Sequence, residues 1–275
     1  MERTSVILLW VAFLLYGAAF AVFLYHLFSK RESMNRLGLL IAAGGWAAQT
    51  VALILRGVAA GHAPVVGAYE SLAVAAWAIV TVYLLLEWRT GVKAVGLYVM
   101  PAVCIFLGLA WFNYDAPSAL LPVLKSDLVV LHVTVILISV GCFFVAGGAG
   151  LIYLIEETQL KRRHTVPVIG RLPSLATLDR LIYHAILFGL PFLTMGIVAG
   201  VIRAERWGVK HWYIDATPIL SVVVWALYVA FVYGHMRAGW RGRRASYFAL
   251  AGLIVLLFIR FVAEPYLGDF HTYGG

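Results

Sequence analysis

Apolar residues in this chain run on in blocks much longer than the buried face of a soluble helix. Eight blocks stand out, at residues 5–28, 37–60, 66–86, 92–112, 128–155, 181–202, 218–236 and 247–263. A bilayer core is about 30 Å thick and takes roughly 20 apolar residues per helical span. Backbone in lipid must satisfy its own hydrogen bonds, which leaves helices or closed barrels. Blocks this uniformly apolar lack the alternation of barrel strands. The expected fold is therefore all-α, a polytopic membrane helical bundle with about eight transmembrane helices. The block at 5–28 follows only Glu2 and Arg3. It is too long for a signal-peptide core and lacks a small-residue cleavage site, so it is read as a retained first helix.

Charge then orients the bundle. Cationic residues cluster in every second connection: Lys30, Arg31 and Arg36; Arg89 and Lys93; Lys161, Arg162, Arg163, Arg171 and Arg180; Arg237, Arg241, Arg243 and Arg244. Cytoplasmic loops carry the excess of Lys and Arg. The connections at 61–65, 113–127 and 203–217 and the tail from Glu264 then face outward, with both termini outside. Arg203, Arg206 and Lys210 run against the rule locally, and the alternation elsewhere outweighs them. The inner loop at 156–180 leaves room for a short surface helix. No repeat or low-complexity tract interrupts the chain. It reads as a single transmembrane domain, 1–275, with a distinctive outer segment at 203–218.

Composition agrees. The chain is 63% hydrophobic and only 12% charged, with mean hydropathy +0.92, whereas soluble chains carry roughly 25% charged residues. The net charge of +8 sits in the inner loops, so topology accounts for it and nucleic acid is not an expected partner; the lipid bilayer is. Cys104 and Cys142 lie in apolar blocks and read as small buried hydrophobes, not as a disulfide or a metal pair. No phosphate-cradling loop, dinucleotide fingerprint, zinc-protease helix or nucleophile elbow is present.

What remains for chemistry is eight histidines. His62, His132, His211 and His271 fall near the outer face; His26, His164, His184 and His235 fall near the inner one. Ionisable groups in spanning helices are costly and tend to be functional. His132 lies about one turn inside the fifth helix, and His271 lies in the outer tail at a similar level. Two neutral imidazoles are an ordinary axial pair for haem iron, although any one of these histidines can equally be a packed, hydrogen-bonded side chain. The loop from Arg203 to Asp215 adds the flat faces of Trp207, Trp212 and Tyr213 to the cations Arg203, Arg206 and Lys210. That mixture suits a porphyrin with its carboxylates; an aromatic belt at the lipid interface is the alternative. His235, at the inner end of the seventh helix, is a candidate ligand for a second haem, with His26, His184 or another subunit's histidine as partner, or a plain polar group at a helix end. Glu70 opens the third helix, where the helix dipole favours a carboxylate. Arg56, near the outer end of the second, is expected to snorkel outward.

In this order the features resemble the CcsA/ResC/HemX group of haem-handling membrane proteins of cytochrome c assembly. The resemblance runs from about Pro64 to Tyr273. It rests on Tyr69-Glu70-Ser71-Leu72 with Trp77 and Glu87, on Leu131-His132-Val133, on the stretch from Leu175 to Asp179-Arg180, on Gly239-Trp240-Arg241-Gly242-Arg243-Arg244, and on Asp269-Phe270-His271-Thr272-Tyr273. The resemblance implies haem b held at the outer face, with His132 and His271 as iron ligands flanking a tryptophan-rich WWD segment. Trp207, Gly208, Trp212 and Asp215 belong to that segment, and Glu70 is a further cofactor-binding candidate. It also implies an inner-leaflet site at His235 and a CcsB/ResB-like membrane partner, or another membrane redox subunit. Apocytochrome c would be the acceptor of the haem, the chain would form part of a cytochrome c synthase (haem lyase), and its home would be the bacterial inner (plasma) membrane. The segment departs from the family pattern. Trp207-Gly208 is kept, one residue is inserted, the third tryptophan is lost, and Pro-Lys-Glu is replaced by Ala216-Thr217-Pro218. His211, inside the altered stretch, is an extra candidate ligand. The departure keeps two other functions open: a b-type haem subunit of an electron-transfer complex, and a haem-free HemX-like regulatory or scaffold protein.

Overall fold

Helices that close their own backbone hydrogen bonds are the structure lipid allows, and every regular element described is helical. The computed structural model describes residues 1–29, 32–91, 95–115, 126–161, 173–208 and 211–267. Eight helices answer the eight apolar blocks: α1 (Glu2–Ser29), α2 (Glu32–Ala60), α3 (Gly67–Thr90), α4 (Gly96–Phe112), α5 (Asp127–Lys161), α6 (Leu175–Arg206), α7 (Ala216–Ala238) and α8 (Arg243–Phe258). α8 runs on into π-helical turns, Ile259–Leu267. Seven are long and apolar enough to cross a membrane, α8 being counted with its extension. α4, with 17 residues, stands at the lower end of the about 17–25 that a span takes. The chain is thus an all-α, multi-pass membrane helical bundle. Several helices overrun their blocks, α5 to Lys161 and α6 back to Leu175, because polar residues at a helix end meet headgroups or water and need not interrupt the helix.

The chain separates into two compact units, one of residues 1–125 and 155–177, the other of residues 126–154 and 178–275. In the first, α1 packs on α2 and α4, and α3 on α4 and α2. Polar side chains tie these helices together. Tyr16 donates to Gln49 Oε1 (2.7 Å), and Gln49 Nε2 donates to the Ala73 carbonyl (2.9 Å). Beside this chain of bonds, α2 and α3 share a reciprocal clasp. Trp46 Nε1 donates to Thr81 Oγ1 and Trp77 Nε1 to Thr50 Oγ1, both at 2.8 Å. Each threonine returns its own proton to the carbonyl of the tryptophan one turn earlier in its helix. The Trp-x-x-x-Thr spacing in both helices makes the exchange close on itself.

In the second unit small residues let helices approach, as they do where lipid removes the usual hydrophobic drive. Gly189 of α6 faces Cys142 and Phe143 of α5, and Gly150 of α5 faces the Ser246 backbone of α8. Phe143 stacks on Tyr228 of α7 at 4.2 Å, and the Tyr228 hydroxyl reaches the Ala249 carbonyl of α8 (3.4 Å). Both cysteines are free thiols, and Cys142 is fully buried.

Candidate functional site

His132 projects from the first turns of α5 toward α6. Its Nδ1 lies 2.7 Å from the Gly196 carbonyl. A carbonyl only accepts, so Nδ1 carries the proton and Nε2 carries the lone pair. Among the described residues Nε2 has no hydrogen-bond partner. The ring fits because α6 presents Gly200 there: a Cβ at that position would sit 2.9 Å from Cε1 and 3.1 Å from Nδ1. Ligating histidines are commonly oriented in this way, with one nitrogen given to a backbone carbonyl and the other presented to the metal. Arg203, in the last turn of α6, is buried (6% exposed), and its charge reaches the imidazole.

The segment 203–218 continues from the same end of α6. Trp207 is exposed, and Gly208 turns left-handed (φ 61°) where α6 stops. The next two residues lie outside the described ones. His211 takes a positive φ of 61°, unusual for a residue with a side chain, and leads into one 3-10 turn, Trp212–Ile214. Trp212 is tied back to α6 by its indole N–H, which donates to Glu205 Oε1 at 2.8 Å. Asp215 caps α7, its Oδ1 accepting the Thr217 N–H at 3.1 Å. His132, Trp207, Gly208, Trp212 and Asp215 therefore gather at one end of the second unit.

His235 is at the other end. It packs beside Tyr183, whereas His132 packs beside Gly196 and Gly200. At 1.5 Å per residue those contacts are about 20–25 Å apart along α6. His235 repeats the arrangement of His132: Nδ1 lies 2.9 Å from a backbone carbonyl, that of Trp240, and Nε2 has no hydrogen-bond partner among the described residues. Tyr183 stacks on the ring at 4.0 Å and 14°. His184, one of its expected partners, is exposed and bonded to the Arg180 carbonyl. His271 lies outside the described residues.

Glu70 belongs to the first unit and not to the histidine end of the second. It does not simply greet the helix dipole. Its Oε1 takes Arg56 Nε at 2.8 Å, with both side chains nearly inaccessible (6% and 5%), and Oε2 takes the Val66 N–H at 3.3 Å. Arg56 is likewise not snorkelling. Its Nη2 donates to the Asp115 carbonyl (2.8 Å), and its guanidinium lies over Tyr69, 5.0 Å from the ring centre. Nearby, the Tyr114 hydroxyl donates to Glu2 Oε1 (2.9 Å); burial first, and that carboxylate second, raise its pKa above the ordinary phenol value. Sequence reading missed Gly200, Glu205, Tyr183 and the carbonyls of Gly196 and Trp240. The Gly196–Gly200 spacing was the one available signal, since small residues four apart mark close approach.

The comparisons with known proteins bear on the same residues. The family described as Cytochrome C assembly protein matches residues 65–269, nearly the stretch over which the motifs run. The Cytochrome c biogenesis protein CcsA of Guillardia theta is 27% identical over 246 residues, covering 82% of this chain and 81% of the relative. That of a Synechococcus species is 32% identical over 252 residues, with 82% of each chain covered. That of a Picosynechococcus species is 26% identical over 336 residues, covering all of this chain and 96% of the relative. The matched stretch carries the capped 203–218 segment and both half-satisfied imidazoles, and on this agreement the chain belongs to the cytochrome c assembly protein family, as a multi-pass membrane protein of cytochrome c biogenesis.

Proposed function

We propose that the chain holds haem b at the outer face and presents it to apocytochrome c. The observation that carries this is His132: a neutral imidazole fixed through Nδ1 by a backbone carbonyl, lodged in the space Gly200 leaves, with Nε2 unspent. An iron ligand is the use to which that state is suited. His271 is the second axial ligand in this reading. Trp207 and Trp212 supply apolar faces for the ring, and Arg203 supplies a buried cation for a propionate. Haem, when bound, supplies the vinyl groups whose C=C bonds take up the S–H of apocytochrome cysteines to form thioethers. The chain's own work is to bind, orient and exclude water. His235 holds a second, inner-leaflet haem, with the other ligand from a CcsB/ResB-like membrane partner, and the bacterial plasma membrane is the expected home.

The test is spectroscopic. Protein purified in nanodiscs and titrated with haem is expected to give a low-spin ferric spectrum that His132→Ala and His271→Ala each change. A wild-type chain that binds no haem overturns the proposal and leaves a scaffold role. A second reading, a permanently held haem b in an electron-transfer complex, draws on the altered outer segment, where Trp212 is committed to Glu205 and Asp215 to capping α7. Haem that never passes to co-expressed apocytochrome c favours that reading.

A further inference from the structure

The carbonyl that orients His235 does not come from the helix His235 stands on. It comes from Trp240, beyond the end of α7, so the chain must double back to deliver it. Gly239 does this with φ 62° and ψ 32°, and the N–H groups of Gly239 and Trp240 both return to the Gly234 carbonyl, the pattern of a helix closed by a left-handed residue. The Trp240 ring lies across Gly234, where a Cβ would collide with it, and stacks on Phe248 of α8 at 5.2 Å.

This turn is anchored from a third helix. Gly242 adopts φ 62° and ψ −119°, backbone that residues with a Cβ avoid. Its N–H donates to Asp179 Oδ1 of α6 at 2.6 Å, the short length of a charge-assisted bond. Asp179 is almost fully buried (9% exposed). Four residues on, and so on the same face of α6, Tyr183 stacks flat on the His235 ring. One helix therefore grips both the turn that carries the orienting carbonyl and the imidazole itself.

We propose that Asp179 is a positioning residue for His235. By holding the Gly242 amide it fixes the 239–242 turn, keeps the Trp240 carbonyl on Nδ1, and so locks the tautomer that leaves Nε2 open. Among the described residues Asp179 has no hydrogen bond to the imidazole; its carboxylate holds the Gly242 amide. The inference about tautomer stands by itself; its consequence for metal affinity rests on the reading of His235 as a haem ligand. Residues that orient a ligating histidine typically change metal affinity about 10–100-fold when lost.

Two measurements separate these layers. Protein with ¹⁵N-labelled histidine in nanodiscs, without haem, reports the tautomer of His235, its signal identified by its loss in His235→Ala. The wild type is expected to show one form with the proton on Nδ1. Asp179→Ala is expected to give a mixture of tautomers while thermal unfolding remains cooperative. Asp179→Asn keeps an acceptor without the charge and gives a smaller change in the same direction, so it serves if the alanine variant does not fold. An unchanged His235 signal in the variants overturns the proposal. The second measurement is haem affinity in a His132→Ala, His271→Ala background. There Asp179→Ala is expected to weaken binding about 10–100-fold and to move the ferric spectrum toward high spin, with Asp179→Asn between. If His235→Ala binds haem as its parent does, the ligand reading of His235 fails while the tautomer result stands. If His235→Ala loses haem and Asp179→Ala does not, the positioning role is overturned.

Discussion

The Arg56–Glu70 pair of the first unit and the two half-satisfied histidines of the second hold ionisable side chains in spanning helices in different ways. In the first, Arg56 and Glu70 answer each other directly, and their remaining bonds go to backbone and to an aromatic face. Arg56 Nη1 has no hydrogen-bond partner among the described residues. In the second, His132 and His235 each give one nitrogen to a backbone carbonyl and keep the other. A buried full charge needs a counter-charge, and breaking such a pair leaves the survivor unpaired and expensive. A neutral imidazole can be half satisfied at small cost. A helix pair can therefore keep an imidazole in readiness for a ligand for as long as its other face is held.

The sharpest way to break this comparison is Glu70→Ala. It is expected to destabilise the protein by about 3–5 kcal/mol, because the Arg56 charge stays buried without its partner. Unfolding in detergent followed by helical circular dichroism measures it, and a loss near zero would mean that the pair does not hold the first unit together. Next comes Gly200→Ala, which pushes a Cβ against the His132 ring. Overpacking costs about 1–3 kcal/mol, and the displaced imidazole should alter the outer haem spectrum. His132→Ala should cost stability only roughly 1–2 kcal/mol, the scale of a lost hydrogen bond and its orphaned acceptor, while changing the spectrum of the proposed outer haem. A large stability loss with an unchanged spectrum would place His132 among packing residues.

Smaller effects sharpen the picture at the edges. Asp215→Ala removes a helix cap worth about 1 kcal/mol. Haem affinity that falls with it, measured by titration, would give the carboxylate a second task beyond the cap. Thr50→Val deletes one acceptor from the Trp–Thr clasp. Such bonds in membranes average about 0.6 kcal/mol, so a shift of that size in unfolding is expected, with no change in haem binding.

Much of the fold was legible because run length is a local property. Twenty apolar residues announce a span wherever they occur, and eight blocks became eight helices. Block edges were less legible: α6 starts at Leu175, ahead of its apolar stretch, since Asp179 and Arg180 end an apolar run without ending a helix. The site was legible as residue types. His132, His235, Glu70 and the Trp207–Asp215 loop could be named, but the ion pair of Glu70 with Arg56 could not.

By itself, then, the sequence determined an all-α membrane bundle, the family, and the short set of histidines available for ligation. Tertiary structure alone decided how those histidines are held. The carbonyl that orients His132 lies 64 positions away, and the carboxylate that anchors the His235 turn lies 63 positions from the glycine it grips. Every residue has a carbonyl, so nothing in a residue's identity marks the one that will orient a ring. Only helix packing, with glycines where backbones and rings must meet, chooses it.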